Sequence, residues 1–291
     1  MLHTIENPFL RVTVSQQGAE LQSILGADGT EYLWQGDAAY WSDRAPNIFP
    51  YVARLTEGSY YLDGTLHHMN IHGIALYRQF HTLQHDTDRL VMELVSDAQT
   101  LEQYPRAFSF QVLYALEGSR LAVTFRVENR DTLPMYFGLG GHPGFRVPLA
   151  DGCRFEDYRL HFTRPCAPKR VGFSEDCFVT GYLTDYQLEK GQDLPLRHDL
   201  FDDDAIVLTA MDPEVTVCCD KDGHSLTVSY PNMPYLGIWH MPHTDAPYVC
   251  IEPWSSLPSR KGIIETLEQQ PGLLRLAPGC VYENTWSIQI A

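Results

Sequence analysis

The 291-residue sequence contains no run that approaches the roughly 20 continuous apolar residues of a membrane-spanning helix. Its first residues, MLHTIENPFLRVTV, lack the basic region and apolar segment that are typical of a secretory signal peptide. We therefore expect a cytoplasmic protein without a membrane partner.

Positive charge is also scarce, because 21 Lys and Arg stand against 37 Asp and Glu and leave a formal net charge of −16. Nucleic acids and anionic membranes are bound through basic surfaces, so this balance disfavours both as partners. It argues mildly against a strongly anionic substrate as well, although one local basic pocket would be enough to bind one.

Several reactive motifs are missing. The seven cysteines are odd in number and form no C-x-x-C pair, which is typical of reduced thiols and disfavours a zinc site built from cysteine. The sequence has neither a strand–turn–helix motif around a nucleophilic serine nor a glycine-rich phosphate loop that opens a helix. Proton transfer is the chemistry that remains.

What the sequence does contain is a succession of short strand patterns, separated about every 8–12 residues by turn signals such as GADG (26–29). This spacing indicates an all-β antiparallel sandwich or barrel, and we expect one domain over residues 1–291. Two short helices are expected, over 99–104 and 263–269. The strand patterns are FLRVTV (9–14), ELQSIL (20–25), SYYLD (59–63), RLVMELV (89–95), FSFQVLYAL (108–116), LAVTFRVEN (121–129), YRLHF (158–162), AIVLTA (205–210), EVTVCC (214–219), SLTVSY (225–230), YLGIWH (235–240), YVCIE (248–252) and ENTWSIQI (283–290).

His142 lies in the stretch FGLGGHPGFRVP (137–148), which holds four glycines and two prolines. The segment MYFGLGGHPGF reads as one strand with His142 at its end. Taken alone, His142 is an ordinary turn histidine. Glycine lets other groups approach the backbone closely. If a base and sugar-binding groups lie nearby, these glycines would give a sugar ring oxygen access to the imidazole.

Three further polar stretches have plain structural alternatives. Arg54, in WSDRAPNIFPYVARL (41–55), is equally compatible with a surface arginine. The histidines of HHMNIHG (67–73), among them His72, fit a partly exposed hairpin or, more weakly, a metal site. The aspartates of FDDDAIV (201–207), which end in Asp204, fit a solvated charge run.

Glu252, in VCIEPWSS (249–256), is harder to explain as a surface residue. It follows four largely apolar residues and precedes Pro253 and Trp254. A carboxyl group held against an aromatic ring tends to have a raised pKa, which suits general acid–base catalysis. A carboxylate, two histidines, an arginine and an aspartate at strand ends near tryptophans suit a neutral polyol such as a sugar.

These stretches, in this order, resemble the aldose 1-epimerase (galactose mutarotase) family, and most of all its divergent LacX-like branch. The matching motifs run from Trp34 to Trp254: WQGDxxYWSxRAPNIFPxVAR, IHG, GGHPGF, DAI and IEPW. The resemblance implies a large antiparallel β-supersandwich, an isomerase that uses neither a metal nor an organic cofactor, and a small-molecule sugar as substrate.

The resemblance also implies roles for individual residues. His142 matches the general acid that protonates the sugar ring oxygen, and Glu252 matches the general base on the anomeric hydroxyl. We expect the two side chains to face one cleft, a sugar ring apart. Arg54, His72 and Asp204 match substrate-binding residues, and Trp239 is expected to line or support the same cleft.

One departure from the family pattern bears on the substrate. An arginine often follows the HG motif in this branch, but Leu76 stands at that place and Arg78 comes two residues later, so we name Arg78 as a candidate substrate-binding residue. The aspartate assignment leaves Asp203 open beside Asp204. Two alternative functions remain: a hexose-6-phosphate 1-epimerase, in which Arg44, Arg54 and Arg78 would bind the phosphate, and a non-catalytic carbohydrate-binding module on the same fold.

Overall fold

The computed structural model describes residues 1–291 and consists mainly of antiparallel strands. One α-helix, α1 (Ala98–Gln103), and four short 3-10 helices (Thr56–Gly58, Ala75–Tyr77, Phe155–Asp157, His198–Phe201) connect them. None of these helices has the length and hydrophobicity of a membrane-spanning segment. The strands, in chain order, are β1 (Leu2–Glu6), β2 (Leu10–Ser15), β3 (Leu21–Gly26), β4 (Asn47–Ile48), β5 (Ser59–Leu62), β6 (Thr65–His68), β7 (His81–His85), β8 (Arg89–Val95), β9 (Phe108–Glu117), β10 (Arg120–Asn129), β11 (Met135–Phe137), β12 (Gly140–Gly141), β13 (Gly144–Arg146), β14 (Tyr158–Phe162), β15 (Lys169–Phe173), β16 (Val179–Asp185), β17 (Asp193–Pro195), β18 (Ile206–Thr209), β19 (Glu214–Cys219), β20 (Leu226–Ser229), β21 (Tyr235–Trp239), β22 (Tyr248–Trp254), β23 (Glu265–Thr266), β24 (Leu274–Leu276) and β25 (Val281–Ile290).

Two large sheets dominate the fold. A nine-stranded sheet has the order β17-β14-β19-β20-β25-β10-β9-β8-β7, and an eight-stranded sheet has the order β16-β15-β18-β21-β22-β12-β4 with β13 also paired to β22. Smaller sheets are β1-β2-β3, β23-β5-β6 and β11-β24. The pairing is antiparallel except between β23 and β5. The predicted all-β antiparallel supersandwich is confirmed.

The core follows from the two-residue period of the long strands. Along β9 and β10, buried and half-buried residues alternate, and the buried set includes Phe110 and Phe125. These side chains belong to one cluster of 63 buried residues, in which Phe49 stacks on Phe110 with ring centroids 4.4 Å apart. That the chain forms one domain stays a prediction, which this shared core favours.

Two local predictions need correction. The segment 135–145 is not one strand but three: β11 pairs with β24 in a separate small sheet, whereas β12 and β13 join the eight-stranded sheet. Pro143, which has no N–H to donate, lies between β12 and β13. The strand that carries Glu252 also continues through Trp254.

Of the two predicted helices, the first is confirmed as α1, which begins with a capping box between Asp97 and Thr100. The second, over 263–269, is wrong. Glu265 is buried and its carboxylate accepts hydrogen bonds from the Arg260 backbone N–H and guanidinium, which holds the segment as the short strand β23 against β5.

Candidate active site

A cleft of about 290 Å³ opens beside β22, which lies inside the eight-stranded sheet and is buried along its whole length. Its volume lies near the lower limit for small-molecule sites, which suits a monosaccharide. Eleven of the 19 lining residues are hydrophobic. The lining residues are Trp41, Asp43, Pro46, Ala53, Arg54, Ile71, His72, Leu76, Tyr77, His142, Phe173, Cys177, Asp203, Asp204, Ala205, Val207, Trp239, Glu252 and Trp254.

His142 and Glu252 meet because of strand register. Gly140 pairs with Trp254 and Gly144 pairs with Cys250, and the same register carried between them places His142 opposite Glu252. The His142 Nε2 and Glu252 Oε2 atoms are 3.3 Å apart, and the two residues are 9% and 1% exposed. They face one cleft as expected, but they touch rather than stand a sugar ring apart.

Burial controls the protonation of this pair. Loss of solvent lowers the pKa of His142 well below 6.5, and nearby His72 lowers it further. Loss of solvent likewise raises the pKa of Glu252 well above 4.5, and the charge of Asp204 adds to that rise. Both shifts favour the neutral forms, a protonated Glu252 carboxyl group beside an uncharged His142 imidazole.

Aromatic rings fix the orientation of the His142 imidazole. The Trp41 ring stacks on it with centroids 4.9 Å apart, and the Trp239 ring meets it edge-on at 5.7 Å. Trp239 therefore lies where the sequence predicted. Trp41 was not among the predicted site residues, although it stands in the same WSDRAPN stretch as Arg44.

His72 enters the cleft from a strained turn. Its φ is +61°, and its backbone N–H donates to the Ala53 carbonyl (3.0 Å) while its Nδ1 accepts from the Ala53 N–H (3.3 Å). Since Nδ1 is the acceptor, Nε2 carries the proton and is the donor left for a ligand. Burial, followed by the charge of Arg54, lowers the pKa of His72 to about 4, so it is a neutral donor at pH 7.

Arg54 lies next to this turn and supplies the only cationic side chain of the lining. Its guanidinium makes no hydrogen bond or ion pair within the protein, so its donors are free for a ligand. Both Asp203 and Asp204 line the cleft. Asp204 is the one whose charge acts on Glu252 and His72, which favours it over Asp203 as the inner of the two.

The structure does not bring Arg78 to the cleft, and we withdraw it from the candidate set. Its guanidinium is bound by Asp97 and Gln99, while Leu76 and Tyr77 of the preceding turn line the cleft instead. Arg44 is also held elsewhere, by the Gln22 side chain and backbone and by the Gln35 carbonyl.

The three clustered histidines are separated as well. His67 and His68 belong to β6, where His68 Nδ1 lies 2.9 Å from Ser59 Oγ and the His67 ring stacks on Tyr60. Only His72 reaches the cleft. A metal site formed by these three histidines therefore has no structural support.

The glycines around His142 serve packing rather than access for a sugar, which corrects the interpretation made from the sequence. A Cβ atom at Gly140 would lie 2.7 Å from the Pro253 carbonyl oxygen and 2.7 Å from Trp254 Cδ1. At Gly141 it would lie 2.7 Å from Trp286 Cζ2. These glycines let β12, which leads into His142, lie directly against β22 and a core tryptophan.

Cys177 is a cleft residue that the sequence did not indicate. It lies in the turn between β15 and β16, and its Sγ is 2.8 Å from Asp204 Oδ2. Burial, followed by this contact, raises the pKa of the Cys177 thiol to about 11. A lone cysteine in SEDCF has no sequence signal that would have assigned it to a site.

Comparison with known proteins agrees with this fold. The family model described as aldose 1-epimerase matches residues 1–289. The chain is 30% identical to the chromosomal LacX protein of Lactococcus lactis over 304 residues, with 98% of each chain covered.

Among the solved structures that are similar to this chain are two from lactobacilli. One is a galactose mutarotase related enzyme from Lactobacillus acidophilus, with 31% identity and a TM-score of 0.94 over 100% of this chain and 97% of the other. The second is a galactose mutarotase-like protein from Lactobacillus casei, with 30% identity and a TM-score of 0.93 over 100% of both chains. The motifs, the fold and the whole-length matches lead to one conclusion: this chain belongs to the aldose 1-epimerase family.

Proposed function

We propose that this protein is an aldose 1-epimerase that interconverts the α and β anomers of a neutral aldose. The observation that carries the proposal is the His142–Glu252 pair, an imidazole and a carboxyl group 3.3 Å apart in a cleft of monosaccharide size. Family membership supplies the reaction class, and the pair supplies the chemistry.

Mutarotation needs one acid and one base at the anomeric carbon. The hemiacetal opens when O1 loses a proton and the ring oxygen gains one, and it recloses on the other face of C1. Both oxygens are bonded to C1, so the acid and base need to separate only far enough to admit these two atoms. We assign His142 to the ring oxygen and Glu252 to O1.

One proton that passes between His142 and Glu252 is enough for this cycle. Opening and reclosure use the acid and the base in opposite senses, so each group donates in one direction and accepts in the other. A sugar hydroxyl that hydrogen-bonds Glu252 favours its ionised form and moves the shared proton to His142. His72, Arg54 and Asp204 then bind the remaining hydroxyls, and Trp41 and Trp239 face the C–H surface.

Charge in the cleft favours a neutral sugar over a phosphorylated one. Asp43, Asp203, Asp204 and Glu252 line the cleft against a single arginine. Phosphate recognition usually employs several converging cationic donors, and two of the three arginines named for that purpose bind elsewhere.

The test is NMR exchange between anomers across a panel of free and 6-phosphorylated aldoses, with the uncatalysed rate subtracted. We expect acceleration for at least one free aldose and little or none for its 6-phosphate. Binding of a sugar without acceleration of any anomer exchange would favour the non-catalytic module. Faster exchange of the phosphates would favour the hexose-6-phosphate enzyme.

The contrast between Arg54 and Arg78 gives a matched prediction. Arg54→Ala should raise KM for the accepted sugar by about 10-fold or more, since a hydrogen bond from a charged donor contributes about 1.5–3 kcal/mol. Arg78→Ala should leave KM within about twofold, because its guanidinium contacts Asp97 outside the cleft. Steady-state kinetics of both variants test this prediction. Equal changes of KM in the two variants would contradict the placement of Arg54 in the cleft.

A further inference from the structure

The reaction leaves one group at the catalytic pair without a role, the thiol of Cys250. Cys250 precedes Glu252 by two residues on β22, so the two side chains leave the strand on the same face. Cys250 Sγ, one ring nitrogen of His142 and one carboxylate oxygen of Glu252 all lie within 4.8 Å of one another.

These three donors have the composition of a zinc site, and one of their distances already has its spacing. Zinc bonds of about 2.0–2.3 Å in a tetrahedron place ligand atoms about 3.4–3.7 Å apart. The 3.3 Å between His142 Nε2 and Glu252 Oε2 already fits that spacing. A movement of about 1 Å is enough to bring the Cys250 sulfur from the 4.8 Å limit to the ligand spacing of a tetrahedral zinc site.

An unsatisfied polar atom marks the same place. Glu252 Oε2 is buried and has no hydrogen-bond partner within the protein. Such atoms are rare in folded proteins because each one costs free energy. The carboxylates of Asp43, Asp203 and Asp204 also line the cleft and favour the approach of a cation over that of an anion.

We propose that Cys250, His142 and Glu252 form an inhibitory site for a thiophilic divalent cation such as Zn²⁺. On binding, the Cys250 thiol and the Glu252 carboxyl group each release a proton, His142 binds through a neutral nitrogen, and the fourth position faces the cleft. The cation then occupies both the acid and the base, so it competes with the sugar. Inhibition of anomer exchange can be measured only if the proposed function is correct, so that part of the inference rests on the proposed function. Binding of the cation does not depend on it.

The binding test uses the full chain stripped with EDTA and titrated with ZnCl₂ by calorimetry. We expect one Zn²⁺ per chain, and Co²⁺ in its place should give a thiolate-to-metal charge-transfer absorption. Cys250→Ala should weaken Zn²⁺ binding by at least about tenfold, because loss of a supporting residue alone costs about 10–100-fold. Cys218→Ala, which removes a half-buried thiol on β19, is the matched control and should bind as the wild type does.

Cys250→Ser provides a second variant in case the alanine disturbs the buried strand, and circular dichroism checks that each variant is folded. Unchanged Zn²⁺ affinity in folded Cys250 variants, or a Co²⁺ complex without the thiolate band, would overturn the proposal. In the anomer-exchange assay, Zn²⁺ should slow the wild type reversibly and slow Cys250→Ala much less, each measured against its own metal-free rate. If no sugar is epimerised, the proposed function fails while the calorimetric test still stands.

Discussion

Replacing Glu252 by Gln, or His142 by Asn, is expected to lower kcat for anomer exchange by about 10²–10⁴-fold, the usual contribution of a positioned acid or base. Each substitution keeps a polar side chain of similar size but removes the group that exchanges a proton. KM should change far less, because Arg54, His72 and Asp204 supply most of the proposed sugar contacts. NMR exchange with the accepted aldose measures both constants.

The double variant sharpens this prediction. Acid and base act on one hemiacetal and share one proton, so Glu252→Gln combined with His142→Asn should be little worse than either single variant. Glu283→Gln on β25 and His81→Asn on β7 make the same chemical changes at exposed positions and should retain the wild-type rate. Independent, multiplicative losses would contradict a shared proton, and a fully active Glu252→Gln would refute the assignment of the base.

Much of the fold was accessible from the sequence because the strands are amphipathic or buried and are separated by strong turn signals. The long pair β9 and β10 was predicted to within one residue, since its alternation reflects one face packed on the core. The same reasoning failed for the segment 263–269, where it predicted a helix. There a buried Glu265 that binds Arg260 overrides the local preference for helix.

The candidate site, too, was predictable from the sequence only in part. The motifs of the resemblance indicated His142, Glu252, Arg54, His72 and Asp204, and Trp239 was expected beside them; all six line one cleft. The direct contact of His142 with Glu252 could not be predicted, because it depends on the register between β12, β13 and β22. Arg78 was misplaced by sequence proximity, since the turn at 75–77 directs Leu76 and Tyr77 into the cleft and leaves Arg78 beside Asp97.

The second large effect is expected at Gly140, two residues before His142. A Cβ atom there would lie 2.7 Å from the Pro253 carbonyl oxygen, which is part of the β22 backbone and cannot rotate away as a flexible side chain does. Gly140→Ala must therefore push β12 from β22. Overpacking of this kind costs about 1–3 kcal/mol, and Tm should fall by roughly 2–5 °C.

The same displacement should reach the chemistry, because His142 directly follows β12 and Glu252 lies on β22. A shift of about 1 Å in a reacting group can reduce turnover about 10²-fold, so Gly140→Ala should lose that much kcat even at temperatures where it stays folded. The control is Gly223→Ala, where φ is not positive and an added Cβ meets no atom within 4 Å. It should keep wild-type Tm and rate. Calorimetry and anomer exchange on both variants decide the matter: a stable, fully active Gly140→Ala would mean that close contact between these strands does not set the geometry of His142 and Glu252.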